Sequence, residues 1–135
     1  MSPLFKNKKL GKTALDYVME ANDVVDELST AEALLKHGQE NVVFIDVRDS
    51  EPIKESGTIE GALRIPRGFI EFAADDSDDE FHNEALTKDK ELLVFCSAGP
   101  MAAMAGKTLK EMGYEKVYNI GGFFDWMEAG GPVES

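Results

Sequence analysis

The 135-residue sequence contains one cysteine, two histidines and one tryptophan. A lone cysteine, Cys96, makes no internal disulfide. That usage fits a reducing compartment and leads us to expect a cytoplasmic protein. His37 and His82 stand apart, with no cysteine or second histidine at ligand spacing, so no zinc site is expected. No apolar run approaches the ~20 residues that span a bilayer. The charged start, Met1–Lys12, is followed by no apolar stretch, so no signal peptide is expected. Positive charge is also scarce, with 14 Lys plus Arg against 26 Asp plus Glu and a net charge of −12. Such an excess of carboxylates repels nucleic acid and anionic membrane, and neither is expected as a partner.

What is present describes a small globular protein. At 43% hydrophobic and 30% charged, the chain is neither a disordered tail nor a membrane protein. The length suits one domain able to bury roughly two-thirds of the surface its unfolded chain exposes. Lys6, Lys8, Lys9 and Lys12 precede any acid, so residues 1–12 read as a basic, solvated arm ahead of a core at about 13–133. Asp75, Ser77 and Asp79 alternate as in a calcium loop. However, Glu80 takes the sixth place, which needs glycine, and Leu86 takes the twelfth, which needs glutamate. The acidic run therefore reads as a solvated loop.

Periodicity alternates between strand and helix. Thr13–Ala21 predicts a helix, with Leu15, Val18 and Met19 on one face and Thr13 with Asp16 as a capping pair. Val24–Leu28 predicts a short strand. Ser29 and Glu32 form a capping box at the head of a helix that stops near Gly38. Val42–Ile45 and Leu92–Phe95 are unbroken apolar runs, as in strands covered on both faces. Asp46–Gly61 reads as a polar connection, Ala62–Ile65 as a short strand and Phe69–Phe72 as a helical turn. A helix from Pro100 to Met112, a strand at Val117–Ile120 and a short helix carrying Phe123, Trp126 and Met127 complete the chain. Trp126 reads as a core residue. This alternation predicts an α/β fold with a mainly parallel central sheet flanked by helices on both faces.

The segment with the most chemistry is Leu92-Leu93-Val94-Phe95-Cys96-Ser97-Ala98-Gly99-Pro100-Met101-Ala102. A buried strand ends, a loop of small residues turns, and a helix begins. Ligands of open α/β sheets sit at the carboxyl ends of strands, where Cys96 is placed. Loop N–H groups and the first turn of the helix favour negative charge on that sulfur, whether a thiolate or a bound anion. A cysteine there is either a nucleophile or a small hydrophobe ending a core strand.

Several segments, in order, resemble a single-domain rhodanese. They are Phe44-Ile45-Asp46-Val47-Arg48-Asp49 with Glu51, Gly57-Thr58-Ile59-Glu60-Gly61-Ala62, and Ile65-Pro66-Arg67-Gly68. The Cys96 loop, Met112-Gly113-Tyr114 and Gly121-Gly122-Phe123-Phe124-Asp125-Trp126 follow. Together they cover about Leu28 to Val133. The resemblance implies a rhodanese-like fold and sulfurtransferase activity without metal or organic cofactor. Cys96 would take a sulfane sulfur from thiosulfate or a persulfide, hold it as a persulfide, and pass it to a thiol, cyanide or a sulfur-carrier protein. The resemblance assigns donor binding to Ser97, Ala98, Gly99, Met101, Ala102 and Arg67, and a supporting role to Asp46 and Arg48. The family's loop often reads Cys-x-x-Gly-x-Arg, and Met101 stands at the arginine position. Pro100 brings no N–H to the cradle, and Thr58 replaces the histidine of the family's Gly-His-Ile. These departures disfavour thiosulfate, a dianion, more than sulfur chemistry itself. The alternative is a non-catalytic rhodanese-like module that binds a partner or senses oxidants.

Overall fold

A computed structural model describes residues 11–77 and 80–135. In chain order the elements are α1 (Ala14–Val24), β1 (Asp26–Glu27), α2 (Thr30–Lys36), β2 (Val42–Asp46), α3 (Ser50–Ser56), β3 (Thr58–Ile59) and β4 (Leu63–Arg64). A 3₁₀ turn (Arg67–Phe69) runs into α4 (Ile70–Ala74). Then come β5 (Glu91–Cys96), α5 (Pro100–Glu111), β6 (Val117–Gly122), α6 (Phe123–Glu128) and β7 (Val133–Glu134). Five strands form one parallel sheet in the order β1-β6-β5-β2-β4. The expected α/β class with a mainly parallel sheet and flanking helices is the observed one.

The two continuous apolar runs lie at the centre of the sheet because they are covered on both sides. On β5, Leu92, Val94 and Cys96 join one buried cluster with Ala102, Ala105 and Leu109 of α5. Leu93 and Phe95 join the other, with Ala33 of α2 and Phe123 and Trp126 of α6. This is the two-residue period of a strand read out as two cores. With all five strands of this sheet parallel, their carboxyl ends share one edge, which gathers Leu28, Asp46, Ile65, Cys96 and Gly122.

Both capping boxes form. The Asp16 N–H donates to Thr13 Oγ1 at 3.2 Å and the Thr13 N–H to Asp16 Oδ2 at 2.8 Å. The Ser29–Glu32 pair repeats the arrangement at 3.1 and 2.9 Å. Three local expectations differ. Helix α1 runs on through Val24, and Leu15 and Met19 stand exposed. The helix reaches the core instead through Ala21 and, just past its end, Val25. Val25 packs so close to Gly106 of α5 that a Cβ there would meet its Cγ1 at 3.0 Å. The polar connection Asp46–Gly61 contains α3, which carries a single buried apolar residue, Ile53, and so shows no amphipathic period. Strands β3 and β7 pair antiparallel through Thr58–Glu134 and Ile59–Val133. Of the acidic run, Asp78 and Asp79 lie outside the described residues. The basic arm does too, except Gly11 and Lys12, and Lys12 bonds Glu20 at 2.7 Å.

Candidate active site

Strand β5 delivers Cys96 to the carboxyl edge, where it pairs with Gly122 across an irregularity in the β5–β6 ladder. The residue is 3% exposed. The chain then turns within three residues. Gly99 makes this turn with φ +118°, a conformation L side chains rarely adopt, and Pro100 opens α5 with its φ already helical. The Gly99 N–H donates to Cys96 Sγ at 3.1 Å. The sulfur thus faces a backbone donor at the head of a twelve-residue helix, where the aligned peptide dipoles favour negative charge.

A second strand holds this loop down. Gly122 of β6 lies against Ser97, and a Cβ at Gly122 would fall 2.1 Å from the Ser97 carbonyl oxygen. Only glycine allows that approach. Asn119, buried within β6, donates from Nδ2 to the Gly99 carbonyl at 3.0 Å. Its Oδ1 accepts the Gly121 N–H at 2.8 Å. One amide therefore ties the Cys96 loop to the turn that starts α6. Sequence reading missed Asn119, and its one signal is an amide inside the otherwise apolar strand Val117–Ile120.

Asp46 and Arg48 form a buried network at the end of β2. Arg48 Nη2 and Nε reach Asp46 Oδ2 and Oδ1 at 2.8 and 3.0 Å. Nη1 donates to Ser56 Oγ and Nη2 also to the Gly57 carbonyl, each at 3.0 Å, and the guanidinium lies 4.7 Å from the Phe123 ring centre. Thr58 adds its hydroxyl to Asp46 Oδ2 at 2.7 Å. A buried ion pair persists when its other valences are filled, and here each Asp46 oxygen accepts at least two bonds and each guanidinium nitrogen donates at least one. The pair joins β2, α3, β3 and α6 beneath the loop.

The other expected site residues are less closely gathered. Ser97 and Ala98 are exposed at the turn, Met101 is 39% exposed on the first turn of α5, and Ala102 is buried in the core. Arg67 is half-buried and turned onto the helices. It bonds Thr108 Oγ1 at 3.0 Å and Glu71 Oε1 at 3.2 Å, and its buried Nε has no partner among the described residues. Beside Ser97 opens a cleft of about 460 Å³, lined also by Arg48, Pro52, Glu55, Ser56, Phe124 and Met127. Apart from Ser97 and Arg48, these cleft residues carried no site assignment in the sequence reading.

Residues 29–129 match the rhodanese-like domain family model. The chain belongs to that family. A putative mitochondrial thiosulfate sulfurtransferase of Schizosaccharomyces pombe is 31% identical over 103 residues, covering 73% of this chain and 70% of that protein. The thiosulfate sulfurtransferase GlpE of Actinobacillus succinogenes is 34% identical over 97 residues, covering 71% and 78%. Among solved structures, a Rhodopseudomonas palustris protein of unknown function, described as a "possible tyrosine phosphatase", superposes with TM-score 0.85 at 35% identity. The match covers 91% of this chain and 95% of that one. The resemblance seen in the segments around Asp46, Gly57, Pro66, Cys96 and Gly121 is thus a family membership, and several relatives, GlpE among them, are named sulfurtransferases.

Proposed function

We propose that this rhodanese-like domain is a sulfurtransferase that carries a sulfane sulfur as a persulfide on Cys96. The observation supporting this most directly is the sulfur at the carboxyl end of β5, facing the Gly99 N–H at the head of α5. In the first half-reaction the Cys96 thiolate attacks the outer sulfur of a donor. A Cys96 S–S bond forms, and the donor's S–S bond breaks with its electron pair leaving on sulfite or a thiolate. In the second, cyanide, a thiol or a sulfur-carrier protein attacks the outer sulfur, and the Cys96 thiolate returns. Backbone N–H groups of the loop, as the Gly99 N–H does for Cys96 Sγ, would hold negative charge on the carried sulfur through the cycle. Ser97, Ala98, Gly99, Met101 and Ala102 would frame the bound sulfur. Arg67 would reach a donor only by leaving Glu71 or Thr108. A reducing compartment such as the cytoplasm would keep the carrier thiol available.

The phosphatase description of the R. palustris protein is the reading to set against this one. A phosphate dianion bound by a cysteine loop needs charge-assisted donors. In this chain only three residues separate Cys96 from Pro100, and no arginine follows Cys96. The sulfur reading asks less of the loop, since the carried sulfur bears one charge.

The deciding experiment is intact mass of the protein after incubation with thiosulfate or an organic persulfide, followed by thiocyanate release on adding cyanide. Wild type is expected to gain one sulfur and lose it to cyanide. Cys96→Ser should gain none while keeping its circular dichroism, because a hydroxyl is a poor nucleophile at neutral pH and forms no persulfide. A wild-type mass unchanged by every donor would leave the domain as a binding module.

A further inference from the structure

We infer that the cleft beside Ser97 selects sulfur donors carrying an uncharged, apolar group next to the transferable sulfur, with Phe124 and Met127 as the residues that set this preference. The inference rests on the sulfur-transfer reading of Cys96 and names the donor class for that site.

Three observations carry it. The cleft adjoins the residue after Cys96, and at about 460 Å³ it has the size of a small-molecule site. Much of its solvent-reaching wall is apolar. Phe124 is 48% exposed and Met127 44%, both on α6, and Pro52 faces them from α3. Large side chains left half-exposed around a concavity gain by covering apolar surface. Finally, among the described residues the cleft offers no free cation to an anion. Arg48 is the one base in its lining, and its guanidinium is 3% exposed and bonded to Asp46, Ser56 and Gly57. The other charge is the carboxylate of the exposed Glu55, which repels anions. A thiosulfate dianion entering here would shed water beside a carboxylate and apolar walls. An alkyl or aryl persulfide would place its carbon substituent on Phe124 and Met127 and its outer sulfur toward Cys96. The Cys96 thiolate then bonds that outer sulfur, the donor's S–S bond breaks, and R–S⁻ leaves with the electron pair. Charge and sulfur count balance with no added oxidant.

The test uses two stable donors of equal charge and equal reacting group, the sodium salts of benzenethiosulfonate and methanethiosulfonate. In each, the thiolate takes the sulfane sulfur and a sulfinate leaves. Loading of Cys96 is followed by mass, and kcat/KM by thiocyanate release. In wild type the phenyl donor should exceed the methyl donor by at least about 10-fold, the scale set by burying one aromatic group. Phe124→Ser and Met127→Ser, made separately so that one survives if the other unfolds, should each cut that ratio by at least about 3-fold, with thermal melts showing a folded protein. Equal kcat/KM for the two donors in wild type would overturn the inference and leave sulfur transfer standing. A ratio unchanged in both folded variants would also overturn it. Loading by neither these donors nor thiosulfate would refute the sulfur-transfer reading itself.

Discussion

Replacing Asn119 tests whether one side chain sets the position of the Cys96 loop. In Asn119→Ala the Gly99 carbonyl and the Gly121 N–H lose partners at 3.0 and 2.8 Å. Each hydrogen bond is worth about 0.5–1.5 kcal/mol net, so about 1–3 kcal/mol should go. For a chain of this length that corresponds to a fall in Tm of roughly 3–15 °C. Asn119→Asp separates hydrogen bonding from packing, because it keeps the shape and the acceptor for Gly121. It turns the Nδ2 donor into a carboxylate oxygen facing the Gly99 carbonyl at a buried site. Burial and that carbonyl both raise the introduced carboxyl's folded-state value above its unfolded value of about 3.9. A raised folded value means full stability below pH ~4 and a loss as pH climbs through the folded value. Protonated, the Asp hydroxyl can donate to Gly99 as the amide did. The assay is urea denaturation of both variants and wild type from pH 4 to 8, beside the Cys96 loading rate at pH 7. The Asp variant should approach wild type at pH 4 and fall below it by pH 7, with loading slowed in both variants. An Asn119→Ala midpoint equal to wild type, or an Asp variant whose deficit is the same at every pH, would refute the clamp.

Trp126→Ala should cost about 3–5 kcal/mol, because the ring is 2% exposed, packs 5.4 Å from Phe44 and donates to the Pro132 carbonyl at 2.9 Å. A Tm within error of wild type would show the ring is dispensable. Tyr114 is buried with its hydroxyl on the Ala74 carbonyl at 2.7 Å, and burial pushes its phenol above the ordinary tyrosine range. Its contribution is therefore complete below pH ~10 and disappears as pH rises through the folded value. Tyr114→Phe should start about 1 kcal/mol lower and decline less between pH 9 and 11, as read by urea midpoints. Parallel alkaline profiles would contradict this. Met101→Arg places a cation on the first turn of α5, and the 39% exposure of Met101 leaves room for the larger head group. Thiosulfate kcat/KM should rise at least ~5-fold in a variant as stable as wild type, and no gain would mean that a missing arginine is not what limits thiosulfate use.

The fold was legible where local physics decides it. Unbroken apolar runs at Val42–Ile45 and Leu92–Phe95 announce strands covered on both faces, and two capping boxes mark helix starts to the residue. The small-residue turn after Cys96 places a cysteine at the carboxyl edge of a parallel sheet, and the order of short motifs places the chain in its family. Helix α3 was hidden because one buried isoleucine makes no period. The β3–β7 ribbon was hidden because its partners lie more than 70 residues apart.

What surrounds Cys96 belongs to the tertiary structure alone. Asn119 reaches Gly99 across 20 residues of chain, and Arg48 spends its charge on Asp46, Ser56 and Gly57. Arg67, a cation in a family motif, turns to Thr108 instead. Phe124 and Met127 carry no role that the sequence displays, and packing leaves them on the wall of a cleft. Hydrophobic period and caps act within a few residues, so a sequence displays them. Whether a charge is free or neutralised, and whether an apolar side chain is core or pocket, depends on which distant residues arrive beside it.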